Sequence, residues 1–280
     1  MCLAARPSLV DFPPGFQDVG TLRSEFMRRL LIAERTETDP GHSSRRIPKV
    51  LIRFWDAVDA IPAYVQDCLD TWDSLRKDGF EILTFDDRSA AAYIGENWSP
   101  RHVAAFSRCR HPAMRSDYFR LCYLSFSGGF YVDADDAMTG GNWQLLYGND
   151  NLKLQPLSFD IPSQSMVAVH GFWHFNDPRP DRMYYVNNNP LVAPAGHPVL
   201  TRALEKATLA LLNAEGSREI QSTTGPGNLT MALVEHAHER ALAGLPPDYE
   251  MLRDWDQIGQ TRWELSYRDD HRNWRHVDIR

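Results

Sequence analysis

Apolar residues recur along this chain in two rhythms, and their order predicts an α/β protein. The first pattern is helical: Leu22, Phe26, Leu30 and Ala33 repeat at three- and four-residue spacing in a basic segment ending near Arg35. Thr36 to Arg46, with Asp39-Pro40-Gly41 and Ser43-Ser44, has the composition of a linker. Residues 1–46 are therefore expected to form an N-terminal extension with an accessory helix, and 47–280 the main domain. Ile47 to Trp55 is a nearly continuous apolar run of the kind buried in a parallel sheet. Pro62 to Lys77 follows as an amphipathic helix with Val65, Leu69, Trp72 and Leu75 on one side, and Phe80 to Phe85 as a second strand. Asp86-Asp87 predicts a cap for a helix over Arg88–Ile94, and Ser99-Pro100 another helix start. Further on, strands are expected at 152–160 and 165–169, helices at 197–213 and from Pro226 to about Leu242, with Leu200, Leu204, Leu209 and Leu212 facing inward on the first. Alternating strands and helices give an α/β fold with a mixed central sheet, whose ligands bind beyond the carboxyl ends of the strands.

The most informative stretch is Arg115 to Asp136. Tyr118, Leu121, Cys122 and Ser125 share one helical face, and Asp117 and Arg120, three apart, share the neighbouring one. Gly128-Gly129 ends this helix, because glycine takes the left-handed backbone of a C-terminal cap, and Phe130-Tyr131-Val132 is a short buried strand. The strand delivers Asp133, Asp135 and Asp136 at its carboxyl end. Three carboxylates within four residues repel one another, and a bound divalent cation offsets that repulsion most simply. An isolated Asp-x-Asp reads better as a solvated acidic turn than as a site; helix, Gly-Gly, aromatic strand and carboxylates in this order reverse that preference. Asp117 and Arg120 also fit an ion pair on a helix surface, and Trp55 fits a core position.

Charge and cysteine usage narrow the functional classes. The 280 residues carry a net charge of -7, with a pI near 5.8. This disfavours nucleic acid as a partner, since phosphates require clustered Lys and Arg. Cys2, Cys68, Cys109 and Cys122 lack Cys-x-x-Cys spacing and read as reduced packing residues of a reducing compartment, so a cytoplasmic protein, peripheral at most to a membrane, is expected. The amino terminus lacks a signal-peptide core. The longest uncharged run, Met183 to Thr201, is broken by three Asn and three Pro, so no transmembrane segment is expected. Thr223-Thr224-Gly225-Pro226-Gly227 is expected to present backbone N–H groups to a pyrophosphate or sugar oxygen at a helix start, or to serve as an ordinary cap. His170 and His174, flanked by aromatics, fit packing or sugar stacking better than metal binding.

Ile-Pro-Lys leading to Trp55, Arg-Ser-Asp-x-x-Arg, Gly-Gly-x-Tyr-x-Asp-x-Asp and the later Thr-Gly-Pro-Gly together resemble the glycosyltransferases with a DXD sugar-binding region, the family of yeast initiating α-1,6-mannosyltransferase. They resemble the glucosyltransferase domains of large clostridial toxins more remotely. The resemblance covers residues 47–139 closely and 184–235 loosely. It implies a GT-A fold, a nucleotide-sugar donor (a UDP- or GDP-sugar), Mn²⁺ or Mg²⁺, and transfer with retention to a glycan, lipid-linked or protein acceptor. By the same resemblance Trp55 stacks on the base, Asp117 and Arg120 bind the donor sugar, and Asp133 and Asp135 serve the metal, Asp133 on the ribose side and Asp135 on the diphosphate side. Asp270-His271-Arg272-Asn273-Trp274 departs from the family at Asn273, where serine is usual, which leaves His271 as the candidate third ligand. Two other readings are a phosphatase with Asp133 as nucleophile and Asp135 as acid, and a sugar-binding protein without turnover. The phosphatase motif wants Thr or Val where Ala137 stands.

Overall fold

The computed structural model describes residues 8–33, 46–167, 181–213 and 219–265. In chain order the elements are α1 (Gly20–Ala33), β1 (Val50–Phe54), α2 (Ala63–Thr71), β2 (Glu81–Phe85), α3 (Asp87–Asn97), α4 (Pro100–Ser107), α5 (Pro112–Ser127), β3 (Gly129–Tyr131), β4 (Asp136–Met138), β5 (Leu152–Asp160), β6 (Ser165–Val167), β7 (Arg182–Ala193), α6 (Pro198–Leu212), the short α7 (Ile220–Thr223), α8 (Pro226–Leu242), β8 (Tyr249–Met251) and β9 (Gly259–Thr261). The central sheet is mixed, in the order β2-β1-β3-β7-β5-β6, with β8 also on β5. β1 runs parallel to β2 and β3, whereas β7 runs antiparallel to both β3 and β5. β4 and β9 form a separate antiparallel pair.

Local chemistry sets the helix ends. Proline occupies the start of α4, α5, α6 and α8, where its missing N–H would have had no helical partner. Asp86 and Ser89 form a reciprocal capping box on α3, each side chain accepting from the other's backbone N–H at 2.8 Å. The predicted helix 62–77 is α-helical only to Thr71 and continues as a 3-10 turn over Trp72–Asp78. Trp72 is pinned there by its indole N–H, which donates to the Asp136 carbonyl at 2.8 Å. At the α5–β3 junction Gly128 and Gly129 have φ of 69° and 123°. A Cβ on Gly128 would lie 2.6 Å from the Ala195 nitrogen, and one on Gly129 2.8 Å from the Val50 oxygen, so this turn accepts glycine only.

Packing departs from the sequence reading in three places. The N-terminal helix, expected as an accessory element, buries Phe26, Met27, Leu30 and Leu31 in the principal core. Its Ser24 hydroxyl accepts from the Tyr184 N–H at 3.0 Å and donates to the Arg182 carbonyl at 3.1 Å, satisfying an edge of β7. α5, expected to be amphipathic, is buried from Ser116 to Ser125 without a break, Asp117 and Arg120 included. On α6 the inward row is Leu200, Leu204 and Leu211, while Leu209 faces solvent, because Ala207 and Thr208 occupy the contact side. Among the described residues no helix is long and apolar enough to cross a membrane.

β7 holds the feature that shapes the site. In the sequence Tyr184-Tyr185-Val186 leads into Asn187-Asn188-Asn189-Pro190, a segment of turn composition, yet one strand runs unbroken through all twelve residues from Arg182 to Ala193. Its pairing with β5 jumps instead: Leu154 lies opposite Leu191, and Pro156 opposite Val186. β7 therefore spends more residues than β5 between the two registers, and the bulge that results carries the three asparagines. Asn189-Pro190 is a cis peptide.

Candidate active site

The carboxyl ends of β1 and β3, the first turns of α5 and α8 and the β7 bulge enclose a cavity of about 1290 Å³. Trp55, Asp117, Arg120, Asp133 and Asp135 all line it. Trp55 extends β1, its N–H donating to the Phe85 carbonyl at 2.9 Å. Its ring packs with Val65, Leu69 and Ala134 in a small cluster of its own while one side borders the cavity.

Arg120 is the hub, and it is only 3% exposed. Its Nη2 reaches Asp133 Oδ1 at 2.9 Å and Asp117 Oδ1 at 3.1 Å. Nη2 also donates to Ser116 Oγ at 2.9 Å, Nη1 to the Asn188 carbonyl at 2.6 Å, and Nε to the Ser116 carbonyl at 3.3 Å. The guanidinium lies 4.0 Å above the Tyr131 ring centroid, and the Tyr131 hydroxyl donates to the same Asp133 oxygen at 2.9 Å. Burial alone would lower the guanidinium pKa, but Asp133, Tyr131 and Asp117 hold it above its ordinary value, so Arg120 stays charged. This is a buried, multiply bonded network, unlike the surface pair that the same spacing also allowed.

Asp117 accepts from Asn188 Nδ2 at 2.7 Å and from Thr224 Oγ1 at 3.3 Å. Burial raises its carboxyl to about 6 despite Arg120 beside it. Asn189 spans the aspartate loop, its Oδ1 accepting from the Asp133 N–H at 2.9 Å and its Nδ2 donating to Asp136 Oδ2 at 2.8 Å. The three aspartates that the sequence places together separate in space. Asp133 and Asp135 line the cavity, while Asp136 starts β4, is fully buried, and is pushed up to about 8 by burial with Asp135 and Asp133 nearby. Asp135 is anchored through its carbonyl, which accepts the Arg262 N–H at 2.9 Å. The two cavity carboxylates form an all-oxygen donor set that fits a hard divalent cation such as Mn²⁺ or Mg²⁺. Behind them Asp117 shares the Arg120 guanidinium with Asp133.

Thr224 and Gly225 do not reach the cavity. Their N–H groups both donate to the Ile220 carbonyl, at 3.1 and 2.9 Å, and so are not offered to a ligand. A Cβ on Gly225 would come within 3.4 Å of Asp117 Oδ2 and 3.1 Å of the Ile220 oxygen. The Thr-Gly turn thus supports Asp117 from behind; Pro226 and Gly227 are the members of this motif that border the cavity. His271, like His170 and His174, lies outside the described residues.

Sequence reasoning missed Asn188, Asn189, Tyr131 and Ser116. Asn-Asn-Asn-Pro has turn composition, and only its position between Tyr- and Val-rich strand residues hinted at a bulge.

One other group has the look of a metal site. His197, His236 and Asp248 each place a ligand atom within 4.8 Å of the others. His197 Nδ1, however, accepts the Val199 N–H at 3.3 Å as the cap of α6, so the neutral ring carries its proton on Nε2, 3.1 Å from the Asp248 carbonyl. With Nε2 protonated no lone pair remains for a metal. The group is a hydrogen-bonded clamp, closed by His236 Nε2 on Asp248 Oδ1 at 2.8 Å and Arg240 on Oδ2 at 3.2 Å. Burial lowers His197 to about 4. A depressed histidine favours the folded state above the unfolded pKa, about 6.5, and that contribution fades as pH falls toward 4. Asp248, held low by His236, His197 and Arg240 although burial opposes them, acts with the same sign. His197→Asn keeps a capping acceptor but cannot titrate. Its melting temperature should fall less steeply than wild type between about pH 6.5 and 4. Parallel curves would show that His197 is not the group being protonated.

Residues 62–150 match the family model described as "Glycosyltransferase sugar-binding region containing DXD motif". Among solved structures seven chains are similar. One, "PaToxG Glycosyltransferase", shares 16% identity over 84% of this chain and 91% of its own, with a TM-score of 0.46. No curated protein matches the chain. The stretch that supplies α5, β3, Asp133 and Asp135 thus lies within the part of the chain that is similar to DXD-containing glycosyltransferase sugar-binding regions.

Proposed function

We propose that the protein is a metal-dependent glycosyltransferase of the GT-A type, which moves a sugar with retention from a UDP- or GDP-sugar to a hydroxyl of an acceptor. The observation that carries this reading is the convergence of Trp55, the Asp117–Arg120 pair, Asp133 and Asp135 on one cavity, all but Trp55 within the region matching the DXD family. Trp55 stacks on the base, Asp117 accepts from hydroxyls of the donor sugar, and Arg120 keeps Asp117 and Asp133 aimed. Asp133 and Asp135 hold Mn²⁺ or Mg²⁺, which when bound neutralises charge developing on the diphosphate. In the transfer the anomeric carbon–phosphate oxygen bond breaks with its electron pair passing to the diphosphate. A bond forms to the acceptor oxygen, and the hydroxyl proton leaves to the diphosphate.

A panel of nucleotide-sugars with Mn²⁺ or Mg²⁺ tests this reading. Slow metal-dependent release of nucleoside diphosphate is expected. Phosphate release from monoesters would mark a phosphatase, and binding without release a sugar-binding protein; either result overturns the proposal. The anomeric configuration of a transfer product, read by proton NMR, tests retention. Within the same assay Trp55→Ala should weaken nucleoside diphosphate binding by about 1–3 kcal/mol, the range for a base stacked on an aromatic ring. Unchanged affinity with a large loss of stability would assign Trp55 to the core.

A further inference from the structure

The cavity extends past the donor residues along β5, β6 and β7, and its composition changes in order. Gln155, Leu157 and Phe159 alternate on β5 and line it, as do Asn187, Tyr185 and Met183 on β7. Alternation puts each trio on one face of its strand. Leu157 lies opposite Tyr185, and Phe159 opposite Met183 and, on its other side, Met166. Beside the catalytic bulge the pair is polar, with Asn187 Nδ2 donating to Gln155 Oε1 at 3.0 Å. Two residues further it is Leu157 with Tyr185, whose hydroxyl donates to the Met166 sulfur at 3.4 Å. At the far end Met166 and Met183 are 44% and 45% exposed. Val186 and Ser158, of opposite parity on the same strands, are buried and do not line the cavity, so at these positions the chain covers one face of the sheet and leaves the other to the cavity. Among the described residues lining this arm, Arg23 is the one charged side chain, and its Nη1 donates to the Gln17 carbonyl at 2.6 Å.

We propose that the acceptor is an uncharged amphiphile, a sugar or polyol head joined to an apolar tail. The hydroxyl-bearing head meets Gln155 and Asn187, next to Asn188 and the donor site, and the tail lies along Leu157, Phe159, Met166 and Met183. From Asn187 to Met183 the strand spans about 13 Å, at roughly 3.3 Å per residue. Amides match hydroxyls as both donors and acceptors, while methionine, unbranched and polarizable, moulds to a flexible chain. Among the described residues lining this face, a polyanionic or strongly charged acceptor would find no counter-charge apart from Arg23. The occupant is argued from continuity: one cavity joins donor site, amide pair and apolar face. The inference rests on the transferase reading for what happens to the head, but not for the binding of the tail.

The test compares octyl and methyl β-glucosides, and the corresponding β-galactosides, below the micellar concentration, by calorimetry with the full chain. The octyl compounds should bind at least tenfold more tightly than the methyl compounds. Met183→Glu, which puts a charge where the tail lies, should cut that octyl-to-methyl ratio at least fivefold. Met166→Ser, at an exposed position, provides the same comparison should the first variant fold poorly. Equal affinity for octyl and methyl compounds, or a ratio that neither variant changes, overturns the proposal. Donor hydrolysis is followed in parallel. Its absence with the octyl preference intact defeats the transferase reading and leaves the amphiphile site standing; its presence without any octyl preference does the reverse.

Discussion

Asp135→Asn should fold normally and lose metal-dependent donor turnover by at least ~100-fold. The side chain keeps its volume and can still accept hydrogen bonds, but one of the two cavity carboxylates loses its charge at the place where a hard cation needs an anionic oxygen. Asp133 does not substitute for it, because its Oδ1 already receives Arg120 and Tyr131. The measurement is nucleoside diphosphate release against Mn²⁺ concentration, with the melting temperature as the control for folding. Turnover near wild type at saturating Mn²⁺ would remove Asp135 from the proposed mechanism.

Arg120→Met should destabilise the fold by about 3–5 kcal/mol, because it leaves the buried Asp117, and the partly exposed Asp133 beside it, without their guanidinium. Urea unfolding measures this directly. A loss of only about 0–1 kcal/mol would be that of a solvent-screened surface pair and would contradict the buried network. Arg120→Lys separates charge from shape. It retains a cation, so much of the stability should survive, but one ammonium cannot reach the Asn188 carbonyl, Ser116, Asp117 and Asp133 in the geometry of the planar fork. Donor turnover should fall at least ~10-fold as Asp117 and Asp133 lose their fixed orientation. If the lysine variant turns over like wild type, Arg120 contributes charge alone.

The strands and helices up to Asp133 were legible because each carries a strong local signal: an apolar run at Val50–Phe54, a capping box at Asp86 and Ser89, and a glycine pair where no Cβ fits. The site was legible where a motif joined a charge to a strand end, as at Asp133 and Asp135. It was not legible where position depends on long-range pairing. Asn188 and Asn189 lie more than fifty residues beyond Asp133, and only the register jump between β5 and β7 brings them back to it. Thr224 and Gly225 show the opposite error. Their composition suits an anion-binding helix start, but the chain folds their N–H groups onto Ile220, so the motif supports Asp117 instead of meeting a ligand. The N-terminal helix was set apart because a linker-like stretch follows it, and composition cannot reveal that Phe26 and Leu30 pack in the principal core.

The β7 bulge has a consequence for how such a protein can diversify. Register is locked on both sides of it, by Leu154 with Leu191 and by Pro156 with Val186, so the intervening residues can change in number or identity without shifting the sheet. Its first asparagine borders the amphiphile arm, and the next two hold Asp117 and the aspartate loop. Mutational drift in this short segment therefore retunes acceptor choice and donor geometry together, while the scaffold that folds the chain is left untouched.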